Sequence, residues 1–262
     1  MEKNKDVRVF MLCHKEVPYG LIDNEIITPL ECGADVIDNN VCELKDNQGE
    51  DNISRFNFFF LEDTAMYWIW KYVNDCKYKG QMHYRRRIDL SNIYDFDELF
   101  KHYDIIVSEP IHLHCNVRRH YEERHLINDL MVIEHIIATD YPEYYDSYNK
   151  YIVNSNIIYS SNMFVLPTKE YNKYCKFLFE VFDKYLDRVG FKLDDTLYED
   201  VKQYTIESLI KKEGQVSSEG WLKYQMRITA YLAERIFTMY IQHHFPNKFT
   251  IPYIKMEEGM EY

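Results

Sequence analysis

The 262-residue sequence lacks the short motifs that identify most common nucleotide- and metal-dependent enzymes. It has no GxGxxG, no GxxxxGK[ST], no HExxH and no GxSxG, so these patterns do not support dinucleotide binding, NTP hydrolysis, zinc-dependent proteolysis or serine hydrolase chemistry. Its six cysteines form no CxxC pair and no regular framework. We therefore expect reduced thiols and a cytoplasmic protein.

Long apolar runs are also missing. No segment approaches the ~18 consecutive apolar residues of a transmembrane helix, and the charged N-terminal stretch lacks the apolar region of a secretion signal. The formal net charge of −12 repels nucleic acid and anionic lipid at long range. We expect no nucleic-acid partner, and peripheral contact with the inner face of a membrane only through a substrate or another protein.

What remains is an alternation of strand-like and helix-like segments. Short apolar runs predict strands at residues 7–13, 78–83, 104–108 and 162–166. Longer apolar patterns predict helices at residues 55–73, 118–138, 168–188 and 221–242. Residues 16–50 read as loop with a strand near 34–37, and residues 191–219 as a mobile insertion. The alternation predicts an α/β fold, a single Rossmann-like domain over residues 1–262 with a mostly parallel central sheet flanked by helices.

The most informative segment is His83-Tyr84-Arg85-Arg86, at the predicted carboxyl end of the 78–83 strand. Ligands of open α/β sheets bind at the carboxyl ends of the strands. Two guanidinium groups in that place offer planar forks that match phosphate oxygens. Because folding alone does not explain such a cluster, we interpret it as a clamp for a diphosphate.

Two further segments supply candidate ligand-binding groups. His14 and Lys15 follow the first strand, where Lys15 would add positive charge against a phosphate; an ordinary turn is the alternative. Asn52, Ser54 and Asn57 stand near the start of a predicted helix, where amide and hydroxyl groups suit an anion or sugar hydroxyls. Helix capping alone would explain Asn52 and Ser54 but not Asn57.

Metal-binding patterns are weak. His112 and His114 would share one face of a strand, but no acidic partner stands at a defined spacing. Asp95 and Asp97 form a DxD, the carboxylate pair that in many enzymes holds Mn²⁺ or Mg²⁺ on a nucleotide diphosphate. They open a predicted helix, however, where negative charge serves as an N-terminal cap. We predict no resident metal or cofactor, with a divalent ion on the substrate as the open alternative.

Taken in order, these motifs resemble the DUF4422 family of bacterial capsular and exopolysaccharide proteins, which is grouped with GT-A-type glycosyltransferases. The resemblance covers nearly the whole chain. It rests on residues 14–15, 51–54, 57, 64–71, 83–86, 121, 125, 162–165 and 231–235. The sequence departs from the family at residues 60–63, where the family usually has Cys-Glu-Leu, and this leaves the choice of sugar and acceptor open.

The resemblance implies transfer of a hexosyl unit, with galactofuranosyl as the first candidate, from a UDP-sugar to an oligosaccharide or lipid-linked surface glycan. His83, Tyr84, Arg85 and Arg86 would stand where GT-A enzymes carry a DxD, so that Arg85 and Arg86 neutralise the leaving diphosphate in place of a metal ion. Asn162 would contact the hydroxyls of the donor sugar.

An inverting transfer also needs a base for the acceptor hydroxyl. Glu234 and His125 are the candidates, with Asp129 behind them. An ion pair between Glu234 and Arg235, and a core position for His125, are the structural alternatives. Two other functions stay open: a non-catalytic nucleotide-sugar- or glycan-binding protein of a capsule assembly complex, and a phosphosugar transferase, which the missing acidic metal cluster disfavours.

Overall fold

The structure, a computed structural model, describes residues 5–15, 21–37 and 40–255. The N-terminal residues 1–4 and the turn residues Pro18 and Gly20 of the predicted loop lie outside these ranges. Within them, strands and helices alternate along the chain as the sequence predicts. None of the described helices combines the length and the apolar composition that crossing a membrane requires.

Short apolar segments form the strands. In the described part of the chain they are β1 (Val7–Cys13), β2 (Ile27–Glu31), β3 (Tyr78–His83), β4 (Arg86–Ile88), β5 (Ile105–Ser108), β6 (Ile111–His112), β7 (Ile157–Ile158), β8 (Phe164–Pro167), β9 (Lys248–Ile251) and β10 (Tyr253–Lys255). All of these strands except β6 and β7 belong to one sheet, whereas β6 and β7 pair only with each other.

The main sheet has the order β2-β1-β3-β8-β5-β9, and β4 with β10 extends it beyond the end of β3. The strands β1, β2, β3, β5, β9 and β10 run in one direction, while β4 and β8 run in the other. This confirms the predicted mostly parallel central sheet. A side chain at Gly80 of β3 would collide with the carbonyl oxygen of Phe164, so the close pairing of β3 with β8 requires glycine there.

In the described part of the chain, helices flank this sheet unequally. They are α1 (Asn57–Phe60), α2 (Asp63–Tyr72), α3 (Phe96–Leu99), α4 (Val117–Arg124), α5 (Ile127–Asp140), α6 (Tyr145–Tyr148), α7 (Thr168–Val189), α8 (Leu197–Glu213), α9 (Glu219–Gln225) and α10 (Ile228–His244). Of these, α3 contributes to the core on one face, and the other α-helices contribute to the core on the opposite face. Short 3₁₀ turns lie at Ser54–Phe56 and Pro142–Tyr144, and a π-helical turn lies at Asn149–Val153.

Strand β1 divides the core into two clusters. Phe10 and Leu12 join the larger cluster with residues of α2, α7 and α10, whereas Val9 and Met11 join the smaller cluster on the opposite face. Successive side chains of a strand point to opposite faces, and burial on both faces explains why β1 is continuously apolar. Each such buried side chain contributes about 1.5–3 kcal/mol to folding.

The predicted helix at 55–73 is wrong as a single element. It is a 3₁₀ turn followed by α1 and α2, which are separated at Leu61, a residue with φ of 48°. The Asn57 side chain donates to the carbonyl oxygen of Leu61 at 2.7 Å and to Thr64 Oγ1 at 3.1 Å, and so stabilises the break. The apolar pattern continues across the break because both helices pack on the same core.

The predicted helix at 118–138 is also divided, at His125 and Leu126. The carbonyl oxygens at the end of α4 have no partner within the helix and accept hydrogen bonds from residues far away in the sequence. A local sequence pattern cannot predict such contacts. Lys212 Nζ donates to the oxygen of His125 at 2.7 Å, and Gln225 Nε2 donates to the oxygen of Arg124 at 2.8 Å. The predicted helix at 221–242 is likewise two helices, α9 and α10, which meet at residues 226–227.

Two loop predictions need correction. Residues 34–37 form a turn and no strand, because the carboxylate of Asp46 accepts the amides of Gly33 and Ala34 and bends the chain. Strand β2 lies instead at residues 27–31, within the segment read as loop. Residues 191–219 contain α8, whose buried side chains include Leu197, Val201 and Leu209.

Candidate functional site

Polar side chains gather at one edge of the sheet. Strands β1 and β3 are parallel, so their carboxyl ends, at Cys13 and His83, lie at the same edge. Strand β8 is antiparallel to β3, so the turn that precedes Phe164 reaches that edge as well. The topology therefore brings together the predicted groups at residues 14, 83–86 and 162.

The segment 83–86 is a tight hairpin between β3 and β4, in which His83 pairs with Arg86. Tyr84 is buried, and its amide donates to the oxygen of Leu12 at 3.2 Å, which fixes the hairpin against β1. Arg85 and Arg86 are exposed, and they line different openings. The Arg85 guanidinium lies 5.2 Å from the centroid of the Tyr84 ring, a cation–π distance that orients it.

The first opening, the large cleft, has a volume of about 520 Å³. Among the described residues, its polar lining consists chiefly of His14, Asn57, Glu62, Arg85, Lys223 and Arg227. Arg85 comes from the hairpin, whereas Lys223 and Arg227 come from the opposite wall at α9 and its junction with α10. Lys223 also pairs with Glu219 at 2.7 Å, so Arg85 and Arg227 are the cations that chiefly make the large cleft attractive to anions.

His14 lines the large cleft in its neutral form. Burial lowers its pKa to about 4, against the opposing effect of the Glu62 charge. Its Nε2 lies 3.3 Å from the hydroxyl oxygen of Tyr84, and the two rings meet edge to face. The structure thus places His14 beside the hairpin, while the neighbouring Lys15 is exposed and is not part of the lining of either opening.

Asn52, Ser54 and Asn57 hold the 46–64 segment together. Asn52 Oδ1 accepts the amide of Ser54 at 3.2 Å, and Ser54 Oγ donates to Asp46 Oδ1 at 2.6 Å. Neither residue lines the large cleft, and the capping alternative is wrong as well, because the 3₁₀ turn at Ser54–Phe56 and the helix α1 begin without a side-chain cap. Asn57 does line it, although its amide group is engaged at the α1–α2 break.

The second opening, the small cavity, has a volume of about 260 Å³ and shares Leu61 and Glu62 with the large cleft. The polar groups that matter most are Glu62, Asp63, Arg86, Ser161, Asn162 and Glu234. The shared residues make the two openings neighbours. Arg85 and Arg86 therefore stand on the two sides of one dividing wall.

A strained turn forms one side of the small cavity. Ser161 and Asn162 have φ values of 64° and 44°, a conformation that costs roughly 1–3 kcal/mol for each non-glycine residue. Glu234 Oε1 accepts the amide of Ser161 at 2.7 Å, and Arg86 Nη1 donates to Ser161 Oγ at 2.7 Å. Gln81 Nε2 donates to the oxygen of Asn162 at 3.0 Å. Contacts from three elements hold the turn, as is typical of functional sites.

Two acidic residues of this site, Glu62 and Asp63, were missed as functional residues by the sequence reasoning. Glu62 Oε1 lies 3.3 Å from His83 Nε2, while His83 Nδ1 accepts the amide of Arg85 at 2.9 Å. Burial raises the pKa of Glu62, but the hydrogen bond and charge of His83 outweigh it and lower the pKa to about 2. The available signal was an acidic pair inside an otherwise apolar helix pattern.

Asp63 behaves in the opposite way to its neighbour. It is 1% exposed, and burial raises its pKa well above the ordinary range, with further increases from the charges of Glu62 and Glu234. The start of α2 favours a negative charge by roughly 0.3–2 kcal/mol, whereas an unpaired buried carboxylate costs several kcal/mol. The burial cost is larger, so the surroundings of Asp63 favour the neutral carboxylic acid over the carboxylate.

The candidate bases are engaged in other contacts. Besides the Ser161 amide, Glu234 binds Arg235 Nη1 through Oε2 at 2.9 Å. His125 stacks on Tyr231 at 3.8 Å between ring centroids, and burial together with the charge of Arg235 lowers its pKa to about 2. Both residues line the small cavity. A histidine with so low a pKa is a weak proton acceptor.

Asp129 lies elsewhere. Its Oδ1 accepts the hydroxyls of Tyr185 at 2.7 Å and Tyr204 at 2.6 Å, and it is not part of the lining of either opening. These contacts are those of a buried structural carboxyl.

The weak metal patterns lie away from both openings. Asp95 Oδ1 accepts the amide of Glu98 at 2.9 Å and caps α3, as predicted, while Asp97 binds Lys77. Among the described residues, the side chains that could hold a metal ion together are His114, Cys115 and Glu123, and His112 is not one of them. The six cysteines are free thiols.

Comparison with known proteins now identifies the family. The family model described as a domain of unknown function, DUF4422, matches residues 8–211, well over half of the chain. The chain belongs to the DUF4422 family. The match includes the 83–86 hairpin and the turn before β8, whereas Lys223, Arg227 and Glu234 lie beyond it.

One solved structure, titled as the apo structure of the WbbM bifunctional glycosyltransferase, is similar to this DUF4422 chain with a TM-score of 0.72. Sequence identity is 23%, and the alignment covers 97% of this chain and 46% of the other. The chain therefore spans about half the length of that protein, and the likeness establishes the fold alone. No functionally curated protein matches the chain.

Proposed function

We propose that this DUF4422 chain is a glycosyltransferase that moves a hexosyl unit from a nucleotide sugar, most simply a UDP-sugar, to a surface-glycan acceptor. The observation that carries the proposal is the joining of two openings at the carboxyl edge of the sheet. Among the described residues, three Lys or Arg side chains line each opening, and the second opening adds carboxyl, amide and hydroxyl groups that can form hydrogen bonds to a sugar ring. A nucleotide sugar has two corresponding parts, an anionic diphosphate and a hydroxyl-rich ring.

The 83–86 hairpin is the proposed diphosphate clamp. A diphosphate that crosses the wall between the openings meets Arg85 on one side and Arg86 on the other. Fixed guanidinium groups stabilise the charge that develops on the departing UDP, and this kind of electrostatic stabilisation is usually the largest catalytic contribution. Arg227 adds positive charge on the opposite wall of the large cleft.

The donor atoms at the hairpin do not fit a hard divalent cation. Mg²⁺ and Mn²⁺ take oxygen ligands, chiefly ionised carboxylates and water. The end of β3 instead offers two guanidinium groups, an imidazole and a phenol. Glu62 is engaged with His83, and the surroundings of Asp63 favour its neutral form. We therefore propose that the transfer does not depend on a metal ion.

Glu62 is the carboxylate to test first as a hydrogen-bond acceptor for the acceptor hydroxyl; with a pKa of about 2 it is, like His125, a weak proton acceptor. It is ionised, lines both openings and keeps 28% of its side chain exposed. His83 orients one of its oxygens. We expect Glu62→Gln to retain UDP binding and to lower turnover, since a neutral amide oxygen accepts a weaker hydrogen bond from the acceptor hydroxyl than a carboxylate does.

The test is a transfer assay with UDP-hexoses, UDP-galactofuranose first, and oligosaccharide or lipid-linked acceptors, with products identified by mass spectrometry. We expect product formation that persists in EDTA and disappears in the Arg85→Ala, Arg86→Ala double variant. Arg188→Ala is the matched control, because Arg188 pairs with Asp140 on the surface away from both openings. A strict requirement for Mn²⁺ would contradict the arginine clamp.

A second candidate function is favoured by the engaged state of the bases. Both oxygens of Glu234 are occupied, and His125 is a weak base. These contacts suit a nucleotide-sugar- or glycan-binding protein without catalysis. Tight UDP-sugar binding with no transfer and no release of UDP, for every acceptor class tested, would favour this function.

A further inference from the structure

The small cavity contains two buried polar side chains that do not use their full hydrogen-bonding capacity. Asp63 is 1% exposed and Asn162 is 6% exposed, and both line the cavity. Asn162 Nδ2 donates to Asp63 Oδ1 at 3.3 Å. Asp63 Oδ2 and Asn162 Oδ1 have no hydrogen-bond partner among the described residues. Because buried polar atoms almost always have partners, two unpaired oxygens on contacting side chains point to a ligand.

Hydrogen bonds within the protein already fix the backbone at Asn162 without a ligand. Its left-handed backbone conformation is held by Gln81 at its carbonyl oxygen, and the preceding Ser161 is held by Arg86 and Glu234. The Asp63 side chain is buried at the first residue of α2, where Asn162 Nδ2 contacts its Oδ1. Two buried side chains in contact with each other recognise a ligand with a smaller entropy cost of ordering them on binding.

We propose that Asp63 and Asn162 form a recognition pair for neighbouring hydroxyl groups of the donor's hexosyl ring, in which Asp63 acts as a neutral carboxylic acid. This proposal rests on the proposed function, since it assumes that the ring of a nucleotide sugar enters the small cavity. A neutral carboxyl supplies one O–H donor and retains acceptor capacity, while the Asn162 amide oxygen accepts. A sugar hydroxyl both donates and accepts hydrogen bonds. Two adjacent hydroxyls can therefore provide partners for the unpaired oxygens of both side chains.

The surroundings of Asp63 favour the neutral form. Its Oδ2 has no hydrogen-bond partner, and no cation forms an ion pair with it among the described residues. The titratable groups that act on it electrostatically are Glu62 beside it, Glu234 on α10, and Tyr171, Tyr174 and Cys175 on α7. The nearby carboxylates disfavour a second negative charge, and burial raises the pKa of Asp63.

A pair of substitutions tests the protonation state together with the recognition. Asp63→Asn replaces the neutral acid with an amide of the same shape that also offers donors and an acceptor. Asp63→Leu removes all hydrogen bonding, and Asp63→Ala serves if the leucine variant does not fold, as judged by thermal unfolding. Calorimetry then compares the affinities for UDP and for the UDP-hexose that the wild-type protein binds most tightly.

We expect UDP to bind equally well to all variants, because the nucleotide and diphosphate occupy the large cleft and the dividing wall. For the UDP-hexose, Asp63→Asn should stay within about 3-fold of the wild type, while Asp63→Leu should lose roughly 10- to 100-fold. An equal loss in both variants would mean that Asp63 acts as a carboxylate and would overturn the proposal.

The outcomes separate this inference from the proposed function. If wild-type protein binds UDP but all Asp63 variants bind the UDP-hexose like the wild type, the recognition pair is wrong and the nucleotide site stands. If the wild type binds neither UDP nor any UDP-hexose, both proposals are overturned. Asn162→Ala is an independent check, since it should reproduce the loss seen with Asp63→Leu.

Discussion

The large cleft and the small cavity share a wall but differ in how their charges are arranged. In the large cleft, the exposed Arg85 and the half-buried Arg227 line a volume of about 520 Å³, and Lys223 beside them is paired with Glu219. In the small cavity, Arg86 and Glu234 are already engaged in holding the strained turn at residues 161–162. The first region is arranged to attract a flexible anion, and the second to fix the position of a few hydrogen-bonding groups.

The difference teaches that two neighbouring residues of one motif can have separate tasks. Arg85 and Arg86 are adjacent in sequence, yet the hairpin sends them to different openings. Glu62 and Asp63 are likewise adjacent, and their pKa values move in opposite directions because one contacts His83 and the other is buried beside like charges. The four predictions below probe this contrast.

The largest expected effect concerns the small cavity. Glu234→Ala leaves the Ser161 amide without an acceptor and Arg235, which is 2% exposed, without its carboxylate. We expect a loss of about 3 kcal/mol in the free energy of unfolding and a fall in Tm of about 5–10 °C. Thermal or urea unfolding measures this.

Glu170→Ala is the matched control, because Glu170 pairs with Lys173 on the surface and such pairs contribute less than about 1 kcal/mol. Equal stability of the Glu234 and Glu170 variants would mean that Glu234 does not hold the turn. In that case Glu234 would again be a candidate for the general base of the transfer.

The second prediction concerns the different contributions of Arg85 and Arg86 to ligand binding. Arg85→Ala should weaken UDP binding by roughly 10- to 100-fold, as expected for loss of a charge-assisted contact of about 1.5–3 kcal/mol. Arg86→Ala should weaken UDP less and UDP-hexose more, because Ser161 also loses its partner in the cavity. Calorimetry with both ligands provides the comparison. The same loss pattern for both variants would argue against a division of tasks.

The third prediction uses the opposite pKa shifts of the acidic pair. The raised pKa of Asp63 means that the folded state binds more protons than the unfolded state, so its contribution to stability is present at low pH and is lost as pH rises from about 3.8. Asp63→Asn should remove this loss and stabilise the protein at pH 7. Unfolding curves of both proteins across a pH series give the difference.

Glu62 provides the contrast within the same measurement. Its pKa of about 2 lies below the ordinary value of 4.5, so its contribution is present above pH 4.5 and is lost as pH falls toward 2. The free energy of unfolding of Glu62→Gln should therefore be lower than that of the wild type at neutral pH, and the difference should shrink in acid. For Asp63→Asn, the free energy of unfolding relative to the wild type should increase as pH rises. Identical pH profiles for the two variants would contradict the assignment.

The smallest expected effect concerns His14. With a pKa of about 4, its neutral imidazole lines the large cleft, so UDP affinity should not follow a histidine titration between about pH 6 and pH 8. His14→Gln keeps a neutral hydrogen-bonding group and should change UDP affinity by less than about 5-fold. Calorimetry across this pH range checks the expectation. A clear loss of affinity centred near pH 6.5 in the wild type, absent from the variant, would show that His14 binds as a cation.

The sequence predicted the sheet edge well. Strand periodicity and the position of the 83–86 motif at a strand end are local properties, and they brought His14, Arg85 and Asn162 to one place. The apolar pattern could not reveal the break at Leu61, because leucine has no preference for a positive φ and the pattern says nothing about the hydrogen bond from Asn57 that stabilises the break.

The roles of acidic residues were harder to predict, since they depend on contacts between distant segments. Asp63 meets Asn162 across 99 positions of the chain, and Ser161 meets Glu234 across 73. Lys223 and Arg227 lie on a separate helix pair whose position over the cleft has no local signature. Protonation states follow from such packing and not from residue type.

The most direct test of the account is calorimetric binding of UDP to the wild type and to the Arg85→Ala, Arg86→Ala double variant, each with and without EDTA. The account predicts binding to the wild type that is unchanged by EDTA and that falls by more than about 100-fold in the double variant. Binding that requires Mn²⁺ or Mg²⁺, or that survives removal of both arginines, would contradict it.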